Sequence, residues 1–400
     1  MPGSKSINTA VVGLGARGLY FTSLYSRKEH PVFNLRAVCD KNKTRLAEVR
    51  AALDRDVAGY TDIREMLADR KIEAVIVATN DPDHAGPAVA ALRAGKHVFI
   101  EKPLCQNLAD AQAIARAARR TKKVFMVGFE LRHCNLFREV KRLLDEGRIG
   151  DVKIGHAFDN VSVGGNYFFH DPAKQTSFFK SLLLQKACHS LDLLNWFMGS
   201  DPAKVYGIGG LDFYGGREDP KLRCGHCRRA KKCPYRVEAE RFRMDYGVTI
   251  RIADYCVWSR DMNLKDNSEL CISYTNGGKA TFHECHFTPE YSREFWLVGT
   301  RGKLYGYYDN PGRFLIRIEY AHSPERRTEE FRPPHLGGGH GGGDEGLREE
   351  FRRRIAGWKT GRTRALNLED IRSGYYSTAL AACAEESIDT GRPVIIPALK

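Results

Sequence analysis

The sequence predicts an α/β protein. A doubly wound parallel sheet at the N-terminal end is followed by an α+β domain with an open, mostly antiparallel sheet. Three observations predict this. Short apolar runs alternate with helical periods through residues 1–128, the pattern of successive βαβ units. A glycine-rich turn, Gly13-Leu14-Gly15-Ala16-Arg17-Gly18, joins the first apolar run to the first helix. From residue 152 onward, longer strand-like runs, one of them over 254–259, are divided by Asn276-Gly277 and Thr300-Arg301-Gly302 turns. At 400 residues the chain is long for a single core, and it divides into domains 1–128 and 129–400.

The glycine turn is read first because strand, tight turn and helix give G-x-G-x-x-G its meaning. Gly13 permits the turn, Gly15 lets a pyrophosphate approach the backbone, and Gly18 lets helix pack on strand. Ala16 and Arg17 open the helix, whose free N–H groups and dipole favour phosphate. Asp40 ends the second strand, 22 positions after Gly18, where a dinucleotide-binding unit places an acid on the adenosine ribose. A carboxylate there repels a 2′-phosphate by about 4 kcal/mol at 4 Å and an effective dielectric near 20. NAD is therefore favoured over NADP. Lys41, Lys43 and Arg45 follow at once and soften that preference.

The next strands end in residues with chemistry. The run 74–78 leads to Thr79-Asn80-Asp81-Pro82-Asp83-His84, and the run 97–100 leads to Glu101-Lys102-Pro103. In a doubly wound sheet, ligands collect at the carboxyl ends of the strands. Thr79, Asn80, His84, Glu101 and Lys102 are thus candidate cofactor contacts. The strand at 124–127 closes the series.

On these motifs the chain resembles the glucose–fructose oxidoreductase/inositol dehydrogenase/MocA oxidoreductases. The carrying residues are Gly13-x-Gly15-x-x-Gly18, Thr79-Asn80…His84 and Glu101-Lys102-Pro103. The resemblance implies a Rossmann domain for 1–128 and a substrate and oligomerisation domain for 129–400. It implies that Lys102 faces both nicotinamide and substrate, and that the Lys102–Pro103 bond is cis. It implies that the exposed face of the second sheet serves in a homodimer or homotetramer. Arg132 lies at the crossing into the second domain and is taken as a substrate contact.

In the second half, residues 185–196 read as one helix, with Gln185, Lys186 and Asp192 sharing a face with His189. The resemblance places His189-Ser190-Leu191-Asp192 on a family His-x-x-Asp whose histidine sits beside the substrate hydroxyl. Many members carry an aspartate four residues before that histidine; here it is Gln185. An amide orients a hydroxyl but does not take its proton. Proton transfer is then assigned to His189 and Lys102, with Lys186 as a helper. Residues 336–344, glycine-rich around His340 and Asp344, read either as a flexible linker or as a loop that brings His340 to substrate, with Asp344 capping the following helix.

The insertion at about 217–243 holds Cys224, Cys227 and Cys233. These are either reduced thiols in a basic loop or three ligands of a structural zinc with the fourth open. Eleven cysteines without an apolar leader suit a reducing, cytoplasmic setting. The net charge of +14 is spread along helix faces. It does not call for nucleic acid, and no apolar run is long enough to span a bilayer. The reading is an NAD(P)-dependent oxidoreductase acting on a secondary hydroxyl of a sugar, glycoside or cyclitol. Two alternatives use the same residues: glycoside cleavage through transient oxidation and elimination, or a non-catalytic NAD(P)-binding regulator.

Overall fold

A computed structural model describes residues 6–26, 32–53, 55–161, 167–171, 175–237, 241–243, 249–251, 253–309, 312–321, 327–337, 339–358 and 360–400. The readings made for residues 1–5, for 238–240 of the cysteine-rich insertion and for Gly338 lie outside the described residues. The chain forms two compact units. The first comprises Met1–Gly128, Glu240–Ile252 and Arg348–Tyr375; the second comprises Phe129–Ala239, Ala253–Leu347 and Tyr376–Lys400. The units are therefore not two consecutive segments, because the C-terminal helices contribute to both.

In the first unit, β1 (Ile7–Val12), β2 (Phe33–Cys39), β3 (Ala58–Tyr60), β4 (Ala74–Val77), β5 (His97–Glu101) and β6 (Phe125–Gly128) form a parallel sheet in the order β3-β2-β1-β4-β5-β6. β4 and β5 are buried along their whole length, which is why they read as continuous apolar runs. Strand order reverses between β1 and β4, so a crevice opens beyond their carboxyl ends. The intervening helices start where side chains can cap them. Asn42 accepts the Arg45 N–H at 3.0 Å, Asp62 the Arg64 N–H at 2.8 Å and Asn107 the Asp110 N–H at 2.9 Å. The edge strand β6 is sealed by the C-terminal segment. Asn367 accepts the Phe125 N–H at 2.9 Å and Asp370 the Val127 N–H at 3.1 Å. A small hairpin, β9 (Arg241–Arg243) with β10 (Thr249–Arg251), also falls within this unit.

The second unit is built on β7 (Val152–Asn160), β8 (Pro202–Gly210), β11 (Asn267–Tyr274), β12 (Lys279–Cys285), β13 (Ser292–Gly299), β14 (Gly302–Asp309), β15 (Phe314–Tyr320), β16 (Thr328–Phe331) and β17 (Val394–Ile395). They pair in the order β16-β15-β14-β13-β7-β12-β11-β8-β17, antiparallel except for β7 with β12. The helix Cys188–Met198 lies close on one face. A Cβ on Gly155 would stand 3.0 Å from Met198 Sδ and 3.1 Å from Leu194 Cδ1. Ile154, Phe158, Tyr206, Ile208, Trp296 and Val298 are exposed.

Three local expectations change. The helix expected over 185–196 is two helices, Leu182–Gln185 and Cys188–Met198. Both Lys186 N–H and Ala187 N–H bond to the Leu182 carbonyl, which breaks the repeat. The strand expected over 254–259 makes only isolated bridges, Glu218 to Ser259 and Arg223 to Tyr255. The helix expected to start after Asp344 starts at Gly343, so Asp344 sits in its first turn rather than capping it.

Candidate functional site

The first unit carries a cleft of about 1240 Å³ at the crevice beyond β1 and β4, lined by Gly13, Gly15, Asp40, Thr79, Asn80 and Arg64 among others. Its floor is the glycine turn. Gly13 has φ of 88°, and a Cβ there would meet the Ala78 carbonyl at 2.5 Å. A Cβ on Gly18 would meet the Gly13 carbonyl at 1.7 Å. A Cβ on Gly15 would meet nothing within 4 Å. Two glycines are thus forced by the turn's own packing, whereas Gly15 faces open space that a ligand can enter. This cradle fits a dinucleotide's pyrophosphate. Asp40 accepts the Leu14 N–H on Oδ2 at 2.7 Å and the Asn42 N–H on Oδ1 at 2.8 Å. Each carboxylate oxygen keeps capacity for a ribose hydroxyl. Lys41 pairs with Asp83 at 3.2 Å, so its charge is not wholly available to offset Asp40.

The other expected cofactor residues are placed differently. His84 is buried, with Nδ1 2.7 Å from the Pro103 carbonyl and Nε2 3.1 Å from the Thr79 carbonyl. It ties the Thr79 loop to the turn after β5. Arg17 and Glu101 pair at 2.8 Å, joining the start of the first helix to the end of β5. The Lys102–Pro103 peptide is cis. Asp81, to which the sequence reading gave no role, answers Lys102 electrostatically. Burial lifts its carboxyl above the ordinary range, and the Lys102 charge pulls against that rise.

In the second unit, His189 is in the first turn of Cys188–Met198 and is buried. Its Nε2 stands 3.2 Å from Glu130 Oε1. The same Glu130 oxygen is 3.2 Å from His340 Nε2, and His340 Nδ1 is 2.9 Å from Asp344 Oδ2. Glu130 is 2% exposed, and its other oxygen is buried without a hydrogen-bond partner among the described residues. His340 adopts a left-handed backbone, φ 51°, within the glycine loop. The loop is moulded on the turn after β6, since a Cβ on Gly343 would stand 2.4 Å from the Glu130 carbonyl. Here close approach, and not flexibility alone, explains a glycine of residues 336–344. Sequence reading passed over Glu130. The available signal was its place two residues beyond the last parallel strand, at a carboxyl end.

Arg132, expected at substrate, is bound to Asp192 by two hydrogen bonds of 2.6 and 2.9 Å and lies over the Trp196 ring at 4.9 Å. Lys186 reaches the Tyr291 hydroxyl at 3.3 Å. Tyr291 in turn accepts from Arg293 at 2.6 Å, and Arg293 pairs with Asp159. The helix is interrupted between Gln185 and Cys188, so Gln185 ends one helix and His189 opens the next.

The cysteine-rich insertion bears on the zinc alternative. Cys224, Cys227 and Cys233 share with Cys256 the wall of a cavity of about 20 Å³, alongside Val257 and Trp258. All four cysteines are free. Burial raises the Cys224 and Cys256 thiols above their ordinary range. Among the described residues, no group of three His, Cys, Asp or Glu side chains is arranged to hold a metal ion. The zinc alternative is not supported.

Comparison with known proteins bears on both units. Residues 7–129 match the model of an oxidoreductase family with an NAD-binding Rossmann fold, and residues 137–305 match the Gfo/Idh/MocA C-terminal domain. The chain belongs to the Gfo/Idh/MocA oxidoreductase family. A relative, the "Putative oxidoreductase YteT" of Bacillus subtilis, is 26% identical over 350 residues, covering 79% of this chain and 78% of its own length. Inositol 2-dehydrogenase of Salmonella paratyphi B is 31% identical over 177 residues, covering 42% of this chain and 49% of its own length. The match thus spans about half of that enzyme. Among solved structures, scyllo-inositol dehydrogenase of Lactobacillus casei with bound NAD(H) and scyllo-inositol aligns at a TM-score of 0.65 and 20% identity, covering 98% of this chain and 99% of that one. An oxidoreductase domain protein of Kribbella flavida aligns at 0.73 and 19%, covering 99% and 100%. At such identities the structures establish a shared fold.

Proposed function

We propose that this family member is an NAD-dependent dehydrogenase acting on a secondary hydroxyl of a cyclitol or sugar. The family match across both units is the observation that carries the reading. The substrate class rests on the inositol dehydrogenases among the sequence relatives. Nothing in the comparisons favours glycoside cleavage or a non-catalytic regulator.

The glycine turn holds the pyrophosphate on Gly15 and the helix N-terminus, and Asp40 takes the ribose hydroxyls. Bound NAD supplies a hydride acceptor. Lys102 holds the reacting hydroxyl and stabilises charge on its oxygen. His189 takes the hydroxyl proton, and such a positioned base contributes about 10²–10⁴-fold. The Arg132–Asp192 pair fixes the helix that carries His189, which gives Arg132 a positioning role. Eleven reduced cysteines suit the cytoplasm. The exposed apolar residues of the second sheet support a homo-oligomer.

The test is a panel of inositols, hexoses and anhydrosugars offered with NAD, read at the absorbance band of the reduced nicotinamide. Turnover with a member of the panel supports the reading. Firm NAD binding with no reduction across the panel contradicts it.

A further inference from the structure

We propose that Asp83 is a specificity-determining residue for the cofactor: by holding Lys41 in an ion pair it withholds that cation from a 2′-phosphate, and so turns the cleft against NADP. The inference rests on the NAD reading of the first unit's cleft and deepens it at the same site.

Sheet order brings the two residues together. β2 and β4 flank β1 on its two sides, so their carboxyl ends stand two strand spacings apart, roughly 9–10 Å. Lys41 follows β2, and Asp83 ends the turn Asp81–Asp83 that follows β4. Lys41 Nζ donates to Asp83 Oδ1 at 3.2 Å. The ion pair therefore joins the ends of the strands on either side of the glycine turn. Both residues line the cleft of about 1240 Å³, and their side chains are 83% and 51% exposed. A ligand in the cleft can reach either group.

Lys41 is also the cation nearest in the chain to Asp40. The Asn42 N–H bonds to Asp40 Oδ1 at 2.8 Å, which folds the chain back on that carboxylate. Consecutive Cα atoms are about 3.8 Å apart, so a lysine side chain free to turn reaches a phosphate seated beside Asp40. There it would offset the Asp40 charge. Held by Asp83, it adds no net charge to the cleft, and a 2′-phosphate meets Asp40 without that relief. Selectivity of this kind comes from denying contacts to the wrong ligand as much as from binding the right one. The next cations in the chain do not replace Lys41. Neither Lys43 nor Arg45 lines the cleft, and Arg45 pairs with Glu48 at 3.4 Å. Arg64, from the helix after β3, does line it, and the test separates the two cations. An exposed ion pair is weak, so the effect of Asp83 is several-fold and not many orders of magnitude.

The experiment is calorimetric titration of the intact protein with NAD and with NADP, at about 50 mM salt, where exposed charges are only partly screened. The readout is the ratio of the two dissociation constants. In Asp83→Asn, which keeps the size of the side chain, the ratio should shift toward NADP by at least about threefold. Asp83→Glu, which keeps a carboxylate for Lys41, should hold the ratio within about twofold of the wild type. In a Lys41→Met background, Asp83→Asn should give less than about half of its gain, because the lysine that would meet the phosphate is gone. A gain of half or more without Lys41 belongs to Arg64 or to the Asp83 charge acting directly, and overturns the proposal. A shift below threefold in Asp83→Asn overturns it as well. These titrations need no substrate and no turnover. Wild-type protein that binds neither dinucleotide overturns the NAD reading together with this one, whereas NAD binding with an unresponsive ratio overturns this one alone.

Discussion

Arg293 and Asp159 meet at 3.3 Å inside the second unit, with their side chains 1% and 0% exposed. Ser190, the neighbour of His189, donates to the same Asp159 oxygen at 2.7 Å. The Arg293 charge holds the Asp159 carboxyl below its ordinary range against the penalty of burial. The pair therefore anchors the first turn of the helix that presents His189. Removing one partner leaves a buried charge without its counterpart, which costs about 3–5 kcal/mol. Asp159→Ala should lower stability by that amount in urea titrations. A loss under about 1 kcal/mol would show that the pair is not needed to hold the turn.

Lys102 leads to a second prediction. It follows β5 and lies outside the lining of the dinucleotide cleft. Lys102→Ala should abolish turnover while NAD affinity, followed by fluorescence or calorimetry, stays within about threefold (roughly 0.7 kcal/mol). Turnover within tenfold of the wild type would remove Lys102 from the chemistry.

Asp40 sets the cofactor preference. Asp40→Ala should weaken NAD and improve NADP, because the like-charge repulsion at the ribose disappears. The ratio of kcat/KM for the two cofactors measures it, with an expected shift of at least about tenfold, or 1.4 kcal/mol. An unchanged ratio would place the ribose away from Asp40.

His97 gives a pH prediction in the first unit. It is 4% exposed and its Nδ1 accepts the Val124 N–H at 3.0 Å. Burial holds its pKa down to about 4, against an ordinary 6.5. The unfolded chain therefore binds the proton more readily than the folded one. The stability that neutral His97 contributes is present above the ordinary value and is lost as pH falls toward 4. At 1.36 kcal/mol per unit, the loss from pH 7 to pH 5 is about 2 kcal/mol. His97→Asn, which keeps an acceptor for Val124, should flatten the pH dependence of unfolding by that amount. Equal slopes in the two proteins would exclude the effect.

Much of the first unit was legible because its signals are local. Each strand is a short apolar run, and Gly13, Asp62 and Gly95 mark a turn, a cap and a helix end by their own chemistry. The second unit was less legible. β14 and β15 alternate buried with less buried residues, β16 has no buried residue, and charges such as Arg317 and Glu319 blur the strand pattern. The break at Lys186 follows from how the Leu182 carbonyl is shared, which no propensity reveals. The Glu130 contacts join residues 59 and 210 positions apart. The His340 backbone is left-handed through its glycine neighbours, and composition alone could not distinguish that shape from a linker.

The central claim is that a hydride passes from a carbinol carbon to NAD. It is tested most directly with the best inositol or sugar of the panel deuterated at the reacting carbon. Mass spectrometry of the recovered cofactor should find the deuterium in the reduced nicotinamide. Reduced cofactor carrying only hydrogen, or substrate that loses deuterium to water without cofactor reduction, would contradict the account.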